Sequence, residues 1–481
     1  MNLKQLIRKS VQEHPGKTAI VENDNAVTYD QLFTIITEIA EDLKSIGIGR
    51  GSLVGLRFPN SIAYVAITFA LWEIEAIVVP IGMELKKIEV ENICQTMQLN
   101  AVIQDHGSDQ DAREKGKKLP VSYFVDHRFS VIENRYIEKE IAFIRFTSGT
   151  TGESKGVVLS HRAICERIEA ADQILRISPE DTILWLLSMA HHFVSTILLY
   201  IARSATIVVV NKMFAGSILD RANQMKATIL YASPFHYSML AADTSDKGLS
   251  TIRIALSTTI ELPDNVFHHF YERFRLPVVQ AYGIIEIGIV CMNAEEPSRK
   301  IGSVGKLLPA YEMKVKNTDC YPSESHLCGE LWFRGPGFFD AYFSPWADAD
   351  TILTDGWFDT GDIGWVDTEG YVYLFARKKD VINIAGMKVF PQEIEAILNM
   401  HPDVEESYVY GLKNKRFGEL VAADIVPKVS PESISRNGIL QHCRQRLASY
   451  KIPEDIKIVA AIPKTPVTSK IIRRNRWYRE E

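Results

Sequence analysis

The sequence lacks a strong charge of either sign, any paired-cysteine motif, and any long apolar run free of polar interruption. The formal net charge is −6 over 481 residues, so there is no broad basic footprint, and no nucleic-acid partner is expected. Six cysteines (Cys94, Cys165, Cys291, Cys320, Cys328 and Cys443) are scattered without CxxC spacing. That pattern points to reduced thiols in a cytosol rather than a zinc site or a secreted disulfide framework. The opening MNLKQLIRKSVQEHPGK mixes charges and has no apolar core of signal-peptide length. Two longer apolar stretches remain. Ile62 to Gly82 is broken by Glu73 and Glu75, and Trp185 to Val210 carries His191, His192 and Arg203, each costly in hydrocarbon. Both read as buried helix and strand pairs, so a cytoplasmic protein without a membrane span is expected.

What is present is ordinary globular composition, 46% apolar and 24% charged, in a chain long enough for two or three compact units. Helical apolar spacing over Leu32 to Ile46, a strand over Leu53 to Phe58, a helix over Ser61 to Glu73 and a strand over Ala76 to Pro80 set an alternating rhythm. It continues through Ala101 to Gln104, Ala163 to Leu175, Ala205 to Val210 and Ala227 to Tyr231. Such alternation predicts an α/β fold, with parallel strands covered by helices. After about Gly329 short strands, GELWFRG and GYVYLFA, are separated by glycine and aspartate turns, which predicts a β-rich subdomain. Beyond Ala376 to Asp380 (ARKKD), helices over Pro391 to Leu398 and Ser435 to Leu447 flank strands over Glu406 to Leu412 and Leu420 to Val426. The expected architecture is a large N-terminal domain, residues 1–378, and a small mobile α+β C-terminal domain, residues 379–481.

The most informative segment is Thr147-Ser148-Gly149-Thr150-Thr151-Gly152-Glu153-Ser154-Lys155-Gly156, set between two strand-like runs. Glycines let the backbone wrap phosphate oxygens, hydroxyls and N–H groups donate, and Lys155 supplies countercharge. The order differs from the P-loop GxxxxGK[ST] before a helix. A flexible glycine-serine turn is the competing reading.

This loop resembles that of the adenylate-forming superfamily of acyl-CoA synthetases, peptide-synthetase adenylation domains and beetle luciferases. Further segments carry the resemblance almost end to end: Val27-Thr28-Tyr29, Ala66 to Pro80, Gln280 to Glu286 (QAYGIIE), Ser257 to Pro263 (STTIELP), Trp357 to Asp362 (WFDTGD), Asn383 to Glu395 and Lys464 to Lys470 (KTPVTSK). The resemblance implies roles for individual residues. Tyr282 and Gly283 would border adenine, Glu286 would hold Mg²⁺, and Asp362 would accept both ribose hydroxyls. Arg377 would contact the nucleotide, Lys379 and Asp380 would form the hinge, and Gly386 would let a pantetheine arm pass. Lys470 would be the catalytic lysine, although in isolation a terminal lysine reads as surface decoration. The chain departs from the family pattern at Ile285, where threonine is usual, at Thr258 and Thr259, where two glycines are usual, and at Ser469, where glycine precedes the lysine.

The implied reaction joins a carboxylic acid, fatty or aryl, to AMP from ATP with Mg²⁺, releasing pyrophosphate, and then passes the acyl group to a thiol. The acceptor is CoA or the phosphopantetheine of an acyl or peptidyl carrier protein. A non-catalytic nucleotide-binding homologue, suggested by the departures, is the reading from another class. An acyl pocket is expected from His192, Phe193, Ser233, Phe235, Thr258, Thr259 and Ile285, although Thr258 and Thr259 could equally face the core, and His192 could be buried and satisfied by backbone. Amino-acid-activating relatives place an aspartate shortly after the Ala190-to-Phe193 motif, where this chain has Val194, Ser195, Thr196 and Ile197. An α-amino acid substrate is therefore not expected. The oligomeric state is left as monomer or homodimer.

Overall fold

The structure is a computed structural model that describes residues 2–105, 123–128, 132–147, 155–317, 327–384, 387–414, 418–431, 433–464 and 471. Among the described residues, those up to 147, 155–312 and 334–356 form one compact unit, and those of 313–333 and from 357 onward a second.

In the first unit a nine-stranded sheet runs Lys306–Leu307, Gly288–Met292, Val278–Ile284, Ile254–Ser257, Ile229–Ala232, Thr182–Trp185, Thr206–Val209, Thr18–Glu22, Asn25–Thr28. From Val278–Ile284 to Thr18–Glu22 the neighbours are parallel. Central strands such as Thr206–Val209 and Ile229–Ala232 are buried at every position, because helices cover both faces of a parallel sheet and leave no polar side. An eight-stranded sheet is built around Ile77–Pro80, Leu53–Arg57 and the hairpin Ile141–Thr147 with Lys155–Ser160.

The helix Ile62–Glu73 shows how local sequence places site elements. Ser61 caps it by accepting from the Tyr64 amide. From Tyr64 to Trp72 every residue is buried, since apolar side chains on all faces require burial all round. The Trp72 indole donates to the Ala142 carbonyl at 2.8 Å, tying this helix to Ile141–Thr147. Both long apolar runs thus resolve into helix and strand pairs. Among the described residues no helix is long and apolar enough to cross a membrane.

The second unit holds a four-stranded sheet, Glu312–Asn317, Leu327–Arg334, Phe358–Val366 and Val372–Arg377. It also holds a five-stranded sheet in which Val404–Asn414 pairs with Gly418–Pro427. The helices Pro391–Asn399 and Arg436–Arg444 contribute Ile394, Leu398, Ile439 and Cys443 to the core of that second sheet. The expected α/β class with a small C-terminal α+β part is met. One expectation is corrected: Cys94, Cys165, Cys291 and Cys443 are free, but Cys328 is disulfide-bonded, a pairing that CxxC spacing does not detect.

Candidate active site

The strands Ile141–Thr147 and Lys155–Ser160 pair antiparallel, ending with Thr147 opposite Lys155. Ser148, Gly149, Thr150, Thr151 and Gly152 lie outside the described residues, as do Gly386 and Lys470.

Val278–Ile284 runs beside Ile254–Ser257 and then reverses into antiparallel pairing with Gly288–Met292. Gly283 is required at this reversal, since a Cβ there would stand 2.1 Å from the Gly288 carbonyl oxygen. The turn carries Ile285 and Glu286, and Arg167 of the helix His161–Leu175 clamps it. Its Nη1 donates to the Ile285 carbonyl and its Nη2 to the Glu286 carbonyl, each at 2.7 Å, while Nε donates to the Gly337 carbonyl. Burial brings Arg167 down to about 10. A buried guanidinium is tolerated when its donors are satisfied in this way.

The Glu286 side chain is half-buried and its Oε1 accepts from the Tyr342 hydroxyl at 3.1 Å. Burial, and then the Glu286 charge, push the Tyr342 phenol well above its ordinary range. No group of three His, Cys, Asp or Glu able to hold a metal occurs among the described residues. One half-buried carboxylate nevertheless fits Mg²⁺, which takes one or two carboxylates and completes its shell with phosphate and water.

Arg145, in the strand before the loop, belongs to a chain of contacts that the sequence did not suggest. The Glu84 carboxylate lies 2.9 Å from His191 Nε2, and His191 Nδ1 lies 3.5 Å from Arg145 Nη2. Since the carboxylate needs a donor, Nε2 carries the proton and Nδ1 accepts from Arg145. The His191 hydrogen bond lowers the Glu84 pKa. Burial lowers that of Arg145, partly offset by Glu286. Asn60 holds the segment before His191 by accepting from the Met189 amide and donating to the Leu187 carbonyl, each at 2.7 Å. The sequence signal for Arg145 is a charge inside the apolar run Ala142-Phe143-Ile144-Arg145-Phe146, a position that rarely holds an unused arginine.

The residues expected at the acyl pocket have varied surroundings. The His192 ring meets Tyr231 edge-on at 6.2 Å. Phe193 is buried between Tyr64 and Trp72, with ring centroids 5.4 Å and 6.1 Å away. Ser233 caps the helix Pro234–Ala241 and its hydroxyl pairs with His236 Nδ1 at 2.8 Å. Phe235 is 59% exposed. Burial pushes the Tyr231 phenol up to about 12, and the Thr196 and Thr258 hydroxyls beside it ease the shift. Thr259 holds φ +86°, a region where a β-branched residue is strained and glycine is not. Its hydroxyl is buried without a partner among the described residues.

In the second unit the Thr360-Gly361-Asp362 turn is fixed by its own side chains. The Thr360 hydroxyl donates to the Leu331 carbonyl at 2.8 Å and accepts from the Asp362 amide at 3.1 Å. Gly361 takes φ +66°. Asp362 is buried and stands opposite Arg377 across the strand pair. Lys378 pairs with Glu330 at 2.9 Å and Asp359 at 3.4 Å. The 3₁₀ turn Lys378–Asp380 contains Lys379 and Asp380.

Comparison with known proteins bears on what such a chain is. It is 28% identical to a 2-succinylbenzoate–CoA ligase of Bacillus licheniformis, with 97% of this chain and 98% of that protein covered. It is 27% identical to an indoleacetate–CoA ligase of Aromatoleum aromaticum, over 97% and 96%. A long-chain-fatty-acid–CoA ligase of Mycobacterium tuberculosis is 28% identical over 98% and 97%. The solved o-succinylbenzoate CoA synthetase of Bacillus subtilis, bound to its acyl-adenylate, shares the fold with a TM-score of 0.82 at 23% identity, covering 98% and 97%. The chain is an acid–thiol ligase of the adenylate-forming class. It belongs to the AMP-binding enzyme family, whose model matches residues 7–343, with the AMP-binding enzyme C-terminal domain matching residues 393–468.

Proposed function

We propose that the chain converts a carboxylic acid, ATP and CoA into acyl-CoA, AMP and pyrophosphate through an acyl-adenylate. The observation that carries this reading is the near full-length match to ligases named for CoA, acting on aryl and fatty acids. In the first step a carboxylate oxygen attacks the α-phosphorus and pyrophosphate leaves. Thr147 to Gly152 and Lys155 cradle the phosphates, and Lys470 brings a positive charge to the developing phosphoryl charge. Glu286 would hold Mg²⁺, which when bound neutralises phosphate charge. Tyr282 and Gly283 border the adenine, and Asp362 accepts from the ribose hydroxyls, steadied by Arg377. His192, Phe193, Ser233, Phe235, Thr258, Thr259 and Ile285 enclose the acid.

In the second step residues 379–481 turn about Lys379 and Asp380, withdrawing Lys470 and bringing Gly386 to the pantetheine arm. The domain boundary at 378/379 belongs to this proposal. A 3₁₀ turn with exposed lysines and no buried residue suits a pivot, and the packing of Val381 and Phe390 beyond it against Ile363 and Ala376 would have to part as it turns.

The test is acid-dependent exchange of labelled pyrophosphate into ATP, followed by thioester assays with CoA and with a phosphopantetheinylated carrier protein. Exchange with at least one acid and a thioester on CoA are expected. Loading of the carrier alone would transfer the reading to a stand-alone adenylation enzyme, and no exchange with any acid would overturn it.

A further inference from the structure

Resting on the acid-activating reading, we propose that Arg145 is a specificity residue that binds a second carboxylate at the far end of the acid, making short dicarboxylic acids the preferred substrates. Three side chains from separate elements converge on three consecutive residues. Arg145 reaches His191 at 3.5 Å, Tyr231 meets the His192 ring at 6.2 Å, and Tyr64 meets the Phe193 ring at 5.4 Å. That segment is where the motif pattern places the acid's tail.

The donors there are left over. Arg145 Nε and the Tyr64 hydroxyl are buried and have no hydrogen-bond partner among the described residues. Among the described residues the one hydrogen bond of Arg145 goes to an imidazole nitrogen rather than to an anion, and it makes no ion pair. Buried guanidinium groups are normally matched by carboxylate or phosphate, so an incoming anion supplies what the fold does not. The contact with His191, itself held by Glu84, fixes the fork in one orientation, as recognition of a planar carboxylate needs.

Arg145 precedes Thr147, the last residue of its strand, by two residues, about 7 Å of extended chain. The Glu286 carboxylate and the Tyr64 and Tyr231 phenols are near enough to act on its charge. A monocarboxylic acid would place methyl or methylene groups against unpaired donors and be rejected.

The experiment compares pentanoate and hexanoate with glutarate and adipate in pyrophosphate exchange, for the native chain, Arg145→Gln and Arg145→Leu. The native enzyme is expected to favour the diacid of each pair by at least ~100-fold in kcat/KM. Both variants should lose that preference, kcat/KM for each diacid falling about 100-fold further than for the matching monoacid. Native preference for the monoacids overturns the proposal. So does an equal fall for both acids, which would place Arg145 at the nucleotide or in the fold. If no acid supports exchange although ATP binds, acid activation fails as a reading, and the tail site is tested separately. Calorimetric affinity for acyl-sulfamoyl adenosines bearing either tail must then favour the carboxylated one in the native chain only, and equal affinity overturns the proposal.

Discussion

Arg377 Nε lies 2.5 Å from Asp362 Oδ1, across the strands Phe358–Val366 and Val372–Arg377. The two partners differ in exposure: the Asp362 side chain is 8% exposed and that of Arg377 43%. Removing the carboxylate charge leaves a cation that water can still solvate, so the stability cost should be small, about 1 kcal/mol. The cost to ribose binding should be larger. Asp362→Asn is expected to raise the KM for ATP at least ~10-fold with little change in thermal midpoint. An unchanged KM with a large drop in midpoint would assign Asp362 to folding alone.

Arg167 offers the reverse case. Replacing it with leucine strips donors from the Ile285 and Gly337 carbonyls, while the Glu286 carbonyl keeps the Phe339 amide at 2.8 Å. Two orphaned carbonyls predict a loss of roughly 3 kcal/mol in urea unfolding. Arg167→Lys should recover only part, because an ammonium cannot reproduce a three-nitrogen fork. Full recovery by lysine would show that charge, not fork geometry, is what the turn needs.

Thr259→Gly should stabilise the protein, contrary to the usual effect of introducing glycine. Releasing a non-glycine residue from φ +86° is worth on the order of 1–2 kcal/mol, which exceeds the extra chain entropy of glycine, about 0.5–1 kcal/mol. Differential scanning calorimetry would read the change, and a lower melting temperature would mean that the Thr259 side chain contributes more packing than its strain costs.

Stability should also fall on mild acidification through His161. Burial lowers its pKa from 6.5 to about 4, with Lys4 and the N-terminus adding to the shift. The unfolded chain therefore takes the proton first. The contribution is complete above pH 6.5 and is lost as pH falls through 6.5 to 4, by on the order of 3 kcal/mol. Urea titrations at pH 7 and pH 4 on the native chain and His161→Gln should show a smaller difference for the variant. Equal differences would shift the cause to other groups.

The alternation of apolar runs with turns was enough to read the α/β body, because parallel strands covered on both faces leave nearly continuous hydrophobic sequence, as in Ile77–Pro80. The Tyr282-to-Glu286 and Trp357-to-Asp362 segments were legible for a similar reason: short-range backbone demands, such as the tight approach at Gly283, restrict residue choice locally. Thr259 was visible as a departure from glycine, but not that it keeps the backbone conformation glycine would take. The Glu84, His191 and Arg145 contacts join positions 107 and 46 residues apart. No local pattern encodes such contacts. Arg167 was missed for the same reason, since its three acceptors lie 118 to 170 residues away.

The division of the described residues into those up to 147, 155–312 and 334–356 on one side, and those of 313–333 and from 357 onward on the other, has a practical outcome for genetic dissection. Beyond residue 155 the backbone leaves the larger unit after residue 312, returns at 334 and leaves again after 356. A truncation ending near residue 312 would strand Arg167 without the Gly337 carbonyl and Glu286 without Tyr342. A fragment made to study the larger unit alone must therefore retain 334–356, with a short linker in place of 313–333.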